Sequence, residues 1–242
     1  MTRFTIALPL LVAGLLIAGC SQRVADYHYK ITIEVETPEG LRKGSAVRRV
    51  VVDDLGELNI TDPGAISRRI YGEAVAIDLP NNTTLFALIS DGQYSDDYSE
   101  RWAIIPDGWA PPKGEKYYRA EIKKIMASKG KVFTLPPDRW EPGYRLRKRP
   151  KRLSNYPQFV RFADRSDPRS LQLLDVENLA ATFGEGYALK RITISITDED
   201  VTNNIEKRLP WMSHQRGSLV DGGLSRPTLS NITDLDFLRR EN

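Results

Sequence analysis

Tyr29-Lys30-Ile31-Thr32-Ile33-Glu34-Val35-Glu36 decides the fold class of this chain. Tyr29, Ile31, Ile33 and Val35 alternate with Lys30, Thr32, Glu34 and Glu36, so an extended backbone puts the apolar side chains on one face and the polar ones on the other. A helix would scatter both sets around its axis. The stretch therefore reads as a half-buried strand. Pro38-Glu39-Gly40 turns the chain, and residues 45–52 return as a second strand with Arg48 and Arg49 inside it, which completes a hairpin.

The pattern recurs further along. Residues 190–197 put Ile192, Ile194 and Ile196 on one face. Residues 73–79 and 84–89 form a second predicted hairpin around 80–83, and its apolar content (Val75, Ile77, Leu79; Leu85, Phe86, Leu88, Ile89) gives it a central position. Short strands are expected at 132–135, stopped by Pro136-Pro137, and at 156–162. Helical spacing is confined to 117–127, with Tyr118, Ile122, Ile125 and Met126 on one side, and to 176–182, capped by Asp175 and stopped by Gly184. Residues 53–69 are polar and rich in turn formers, and read as a long excursion. The 15 Pro and 17 Gly agree with many short elements joined by turns. The expected fold is mainly β, an antiparallel sandwich or barrel-like sheet, with one or two short helices. It forms a single domain over residues 29–212, and residues 213–242 read as a partly flexible C-terminal extension.

The N-terminus is of another kind. Met1-Thr2-Arg3 opens with a positive charge, residues 4–18 (FTIALPLLVAGLLIA) carry none, and Gly19-Cys20 closes the run. A bilayer span needs roughly 20 apolar residues, so this is the layout of a secretory signal instead. The tail Leu16-Ile17-Ala18-Gly19-Cys20 resembles the lipobox of bacterial lipoprotein precursors. The resemblance implies a signal peptide over 1–19, cleavage before Cys20, lipidation of the Cys20 thiol, and an acyl chain such as palmitate on the new amine. Ser21 in the next position is similar to the pattern routed to the outer membrane. The implied place is the cell envelope, lipid-anchored and facing the periplasm. Residues 20–28 then serve as a short tether, whose stretch from Ser21 to Tyr27 reaches about 25 Å at most.

A second resemblance covers most of residues 29–212. The runs YPQFVRFAD, LQLLDVENLAATFG, LKRITISITDED and IEKRLPWM, with the opening ITIEVETPEG, GEAVAIDL and TLFALI, resemble a group of uncharacterised proteobacterial exported proteins. It implies one shared architecture and supplies no catalytic roles to carry over.

Composition narrows the chemistry. Cys20 is the only cysteine, so the exported part holds no disulfide, CxxC redox site or cysteine-built metal site. The formal charge of +3, reduced by one when Arg3 leaves, gives no case for nucleic acid. No GxSxG, GxGxxG, P-loop or HExxH motif occurs, and His28 and His214 are the only histidines. Ser213, His214 and Asp221 can be written as a triad, but residues so close in sequence seldom converge, and ordinary surface residues are the expected reading. Asp91, Asp96, Asp97 and Glu100 offer the oxygen ligands that calcium takes but lack EF-hand spacing, so they are weak metal candidates beside the ordinary reading of a solvated loop. No cofactor is expected.

The strongest surface feature is the basic run Arg145, Arg147, Lys148, Arg149, Lys151 and Arg152, an anion- or partner-binding candidate. Near anionic headgroups each such charge contributes about 1 kcal/mol. Trp102, Trp109 and Trp140 sit among prolines and polar residues and suit an aromatic platform for sugar or peptide, although buried loop anchors are the commoner use. The expected function is a non-enzymatic envelope lipoprotein, an interaction or structural module near the membrane. Its expected partners are the membrane itself and an acidic headgroup, glycan or envelope protein. The alternatives are a carboxylate-based, glycan-directed hydrolase, which needs two Asp/Glu side chains across a cleft, and a small-ligand carrier, which needs an apolar cavity.

Overall fold

In the computed structural model of the chain, the described residues are 22–56, 65–80, 82–90, 99–141, 151–220 and 231–241, without the side chains of Trp140, Glu141 and Lys151. Five strands come first: β1 (Gln22–Glu36), β2 (Arg42–Asp54), β3 (Ile66–Glu73), β4 (Val75–Leu79) and β5 (Thr83–Ala87). Two helices follow, α1 (Ser99–Ile104) and α2 (Tyr117–Met126). Then come β6 (Val132–Thr134), β7 (Asp138–Glu141), β8 (Lys151–Ser154), β9 (Phe159–Phe162), β10 (Leu171–Leu174), α3 (Ala180–Phe183), β11 (Ala188–Thr197) and β12 (Leu238–Arg239).

The strands form a six-stranded sheet in the order β12-β3-β2-β1-β11-β6, a four-stranded sheet in the order β10-β9-β5-β4, and the β7-β8 pair. The antiparallel, β-dominated architecture with short helices agrees with the sequence reading. The barrel alternative does not hold, because the sheets are open.

Alternation in β1 does what its pattern requires. Tyr29, Ile31, Ile33 and Val35 are fully buried, as are Ile192 and Ile194 on β11 beside them. They share one apolar cluster with Val75, Ile77, Leu85, Ala87 and Phe159 of the four-stranded sheet. Gly44 permits this approach: a Cβ there would stand 2.3 Å from the Ala76 carbonyl oxygen, so any side chain would push β4 off β2. The outer face of the smaller sheet is covered as well. Phe86, Leu88, Val160 and Phe162 meet Ile205, Leu209, Met212, Ile232 and Phe237 in a second cluster. The unbroken run Leu85-Phe86-Ala87-Leu88-Ile89 is thereby explained, since both of its faces are buried.

Four expectations are corrected. β1 starts at Gln22 rather than Tyr29, so most of the expected tether 20–28 is strand, kinked by a bulge between Arg23 and Ala25. β3 occupies the end of the expected excursion 53–69, and its signal was hidden because inward positions carry Arg68 and Gly72 beside Ile70. Residues 231–241 are no loose extension. Phe237 is fully buried and Leu238 pairs with Glu73 of β3. The helix expected at 176–182 divides into a 3-10 turn, Val176–Asn178, and α3, and Asp175 does cap it by accepting the Glu177 N–H at 3.0 Å.

Candidate functional site

Three segments meet at the turn end of the β4–β5 hairpin. Asn82 holds φ +58°, a left-handed conformation that asparagine tolerates better than most side chains. Its Oδ1 accepts from Arg165 Nη2 at 3.1 Å, and Thr84 Oγ1 accepts from Arg165 Nη1 at 3.5 Å. Arg165 belongs to the loop between β9 and β10, which Asp164 shapes by accepting from the Ser166 amide (2.8 Å) and hydroxyl (2.7 Å). The indole N–H of Trp211 donates to the Arg165 carbonyl at 2.9 Å and fixes the backbone beneath the guanidinium.

The third segment is the 3-10 turn Ile205–Lys207. The Glu73 carboxylate accepts the Ile205 N–H at 2.7 Å and pins the turn to the sheet, which brings Lys207 and Arg208 to the rim. Lys207 Nζ donates to Asn204 Oδ1 at 2.7 Å, and Arg208 pairs with Asp78. Between these segments lies an open groove of about 800 Å³, with Arg165, Lys207 and Arg208 on its walls and Phe162 and Pro210 among its apolar lining. A second hollow of about 530 Å³ shares Ser166 and adds Arg169, Gln215 and Ser218.

Two carboxylates stand by. Burial raises the Asp78 pKa, but the hydrogen bonds from Arg208 and Thr84 and the nearby guanidinium charges prevail, so it sits below its ordinary value. Asp164 is lowered by the Ser166 hydroxyl and amide. Both are anions at neutral pH, the opposite of what a general acid needs.

Position follows from two close contacts. Gly72 lies against Val47 and Arg48, and Gly44 lies against Ala76 and Ile77. From β3 into β4 the chain thus travels along β2 away from Asp54, which is the partner of Gln22. The ten residue steps from Asp54 to Gly44 span roughly 33 Å. The turn of the β4–β5 hairpin, which forms one wall of the groove, follows that crossing in the chain.

The residues singled out in the sequence distribute differently. Cys20, Asp91, Asp96, Asp97, Arg145, Arg147, Lys148, Arg149 and Asp221 lie outside the described residues, as do the side chains of Lys151 and Trp140. Glu100 is fully buried on α1, where it accepts from the Tyr27 hydroxyl at 3.0 Å and pairs with Arg68. Burial first, and then the Glu100 charge, push the Tyr27 phenol well above its ordinary pKa. A solvated calcium loop is the wrong setting for that carboxylate. Among the described residues no group of three or more His, Cys, Asp or Glu is placed to hold a metal ion. Arg152 is exposed and pairs with Asp138 at 2.8 Å.

Trp102 and Trp109 are half-buried and pack against the main core. The guanidinium carbons of Arg101 and Arg139 stand 3.9 and 4.1 Å from the Trp102 ring centroid, and Trp109 meets Tyr117 edge-on at 5.5 Å. Ser213 Oγ donates to the Pro210 carbonyl at 3.0 Å. His28 Nδ1 lies 2.8 Å from the Glu199 carbonyl oxygen. Among the described residues no helix is long and apolar enough to cross a membrane.

The groove residues Asn82, Arg165, Lys207 and Arg208 escaped the sequence reading. Their convergence is a tertiary event between segments more than forty residues apart, and the local signals were only an Asn-rich turn and scattered basic residues. In comparisons with known proteins, no family model, curated protein or solved structure matches the chain.

Proposed function

We propose that the chain is an exported, lipid-anchored protein of the bacterial cell envelope. In this reading residues 1–19 are a signal peptide, Cys20 is the acylated first residue of the mature chain, and the folded part is a two-sheet sandwich. It acts as a non-enzymatic interaction module on the periplasmic side of the outer membrane. One observation carries the reading: Leu16-Ile17-Ala18-Gly19-Cys20 is followed, with Ser21 alone between, by β1 at Gln22. Two residue steps reach about 7 Å. Acyl chains on Cys20 therefore hold that end of the six-stranded sheet against the headgroups. Each buried CH₂ contributes about 0.8 kcal/mol and a single chain binds only marginally, which is why the thiol and the amine both need acylation. Binding is favoured over acid–base hydrolysis at the groove because Asp78 and Asp164 are both held ionised.

Mass spectrometry of the membrane fraction is the test. The mature protein is expected to begin at Cys20 and to carry acyl mass, and Cys20→Ala is expected to be unacylated and released from membranes. A mature N-terminus elsewhere, or fatty acid still attached to Cys20→Ala, removes the anchor.

A further inference from the structure

We propose that the groove between Asn82, Arg165 and Arg208 binds an anionic saccharide, with Arg165 taking its phosphate or carboxylate group. Arg165 is built for that role. Its side chain is oriented by two neutral oxygens, Asn82 Oδ1 and Thr84 Oγ1, and among the described residues no carboxylate lies within ion-pair distance of it. A guanidinium has five N–H donors in a rigid fork, and these two contacts leave a bidentate edge for an oxyanion. The orientation is over-determined: Asn82 sits at positive φ, Thr84 Oγ1 donates to Asp78 Oδ1 at 3.0 Å, and Trp211 clamps the Arg165 backbone.

Charge balance points the same way. Arg165, Lys207 and Arg208 outnumber the two carboxylates nearby, Asp78, which Arg208 pairs with, and Asp164, which stays an anion hydrogen-bonded by Ser166. Lys207 is exposed and its hydrogen-bond partner is a neutral amide. The groove is thus cationic while the carboxylates beside it are occupied.

The rest of the lining suits sugar. Thr83 and Ser166, with Gln215 in the adjoining hollow, offer hydroxyl and amide groups, while the exposed Pro210 supplies apolar contact. The second hollow, lined by Ser166 and Arg169, adjoins the groove and gives room for a further residue of a saccharide chain. The choice of saccharide over lipid headgroup rests on this hydroxyl and amide lining and on the envelope location proposed above. The anion site itself does not depend on the anchor.

The full-chain protein is to be titrated with a uronic-acid oligosaccharide, a neutral oligosaccharide of equal length, inorganic phosphate, and phosphatidylglycerol vesicles, following the heat of binding. The acidic oligomer is expected to bind, phosphate to compete, and the neutral oligomer to bind at least about tenfold more weakly. Arg165→Gln is expected to weaken binding about tenfold or more. Lys207→Ala, at an exposed position whose hydrogen-bond partner is the Asn204 side-chain amide, weakens it by roughly two- to fivefold and keeps the test informative if Arg165→Gln misfolds. Salt at about 0.5 M weakens the acidic oligomer's binding. Equal binding of neutral and acidic oligomers, no binding of any probe, or variants that bind like the wild type would each overturn the proposal. Vesicle binding that Arg165→Gln abolishes would reassign the groove to lipid headgroups. Cys20→Ala is expected to bind the oligomer unchanged, so failure of the anchor shows only in the mass of Cys20.

Discussion

Arg48 and Arg49 are neighbours in β2 and point to opposite faces of the six-stranded sheet. Arg48 points inward and is fully buried. Its Nε donates to the Glu73 carbonyl at 3.0 Å and its Nη2 to the Leu88 carbonyl at 3.4 Å, with the Tyr29 hydroxyl at 3.5 Å. Arg49 points outward, holds both Asp26 oxygens at 2.7 and 2.6 Å, and also meets Glu241. The outer face repeats this device where Glu34 stands in register between Lys43 and Arg191, at 2.7 and 2.9 Å. Inside, backbone carbonyl dipoles and a phenol are among the groups that take the place of water around the cation. Outside, register sets opposite charges side by side while water and salt screen them. The groove is a third case, in which Arg165 is hydrogen-bonded by neutral oxygens and the nearby Asp78 pairs directly with Arg208.

Arg48→Ala tests the contrast most severely. It is expected to cost about 3–5 kcal/mol, because it opens a cavity and strands buried carbonyl oxygens. Arg48→Met, which fills the space, is expected to cost less. Chemical denaturation measures both, and a loss under about 1 kcal/mol for Arg48→Ala would show that the inner cation matters no more than an exposed one.

Where the inner face runs out, Asp54 gives an intermediate effect tied to pH. Its carboxyl is held at about 2, first by the Tyr118 hydroxyl, then by the Gly56 N–H and Arg119, against an opposing effect of burial. A depressed folded value means that this stability is fully present above the ordinary carboxyl pKa of about 3.9 and is lost as pH falls through the folded value. Thermal melts of the wild type should decline over that acid window, and Asp54→Asn should decline less. Parallel curves would sink the assignment.

Arg49→Ala is the smallest change. It is expected to cost less than about 1 kcal/mol, and the cost should shrink further in high salt. A larger, salt-insensitive loss would mean that the outer face works like the inner one.

Legibility divides along the same line. Strands β1, β4, β5 and β11 and helix α2 were readable because alternation and helical spacing are local patterns of side-chain size and polarity. β3 was not readable, because its inward Arg68 is stabilised by Glu100 from a distant helix and its Gly72 yields to the Arg48 backbone. The last residues were unreadable for a related reason. Phe237 and Ile232 show no periodicity of their own and are core only because the outer face of β5 and β9 needs cover. Glu100 looked like a member of a solvated acidic loop, and burial gave it Arg68 and Tyr27 as partners.

By itself, then, the sequence determined the antiparallel β character, the hairpins, the single thiol and the signal-like start, all of which depend on residues close together in the chain. Only the tertiary structure decided where β1 begins, that the C-terminal residues complete the second apolar cluster, and that Asn82, Arg165 and Arg208 share one groove. Those facts depend on which distant segments meet, and contact across space leaves no period in the sequence.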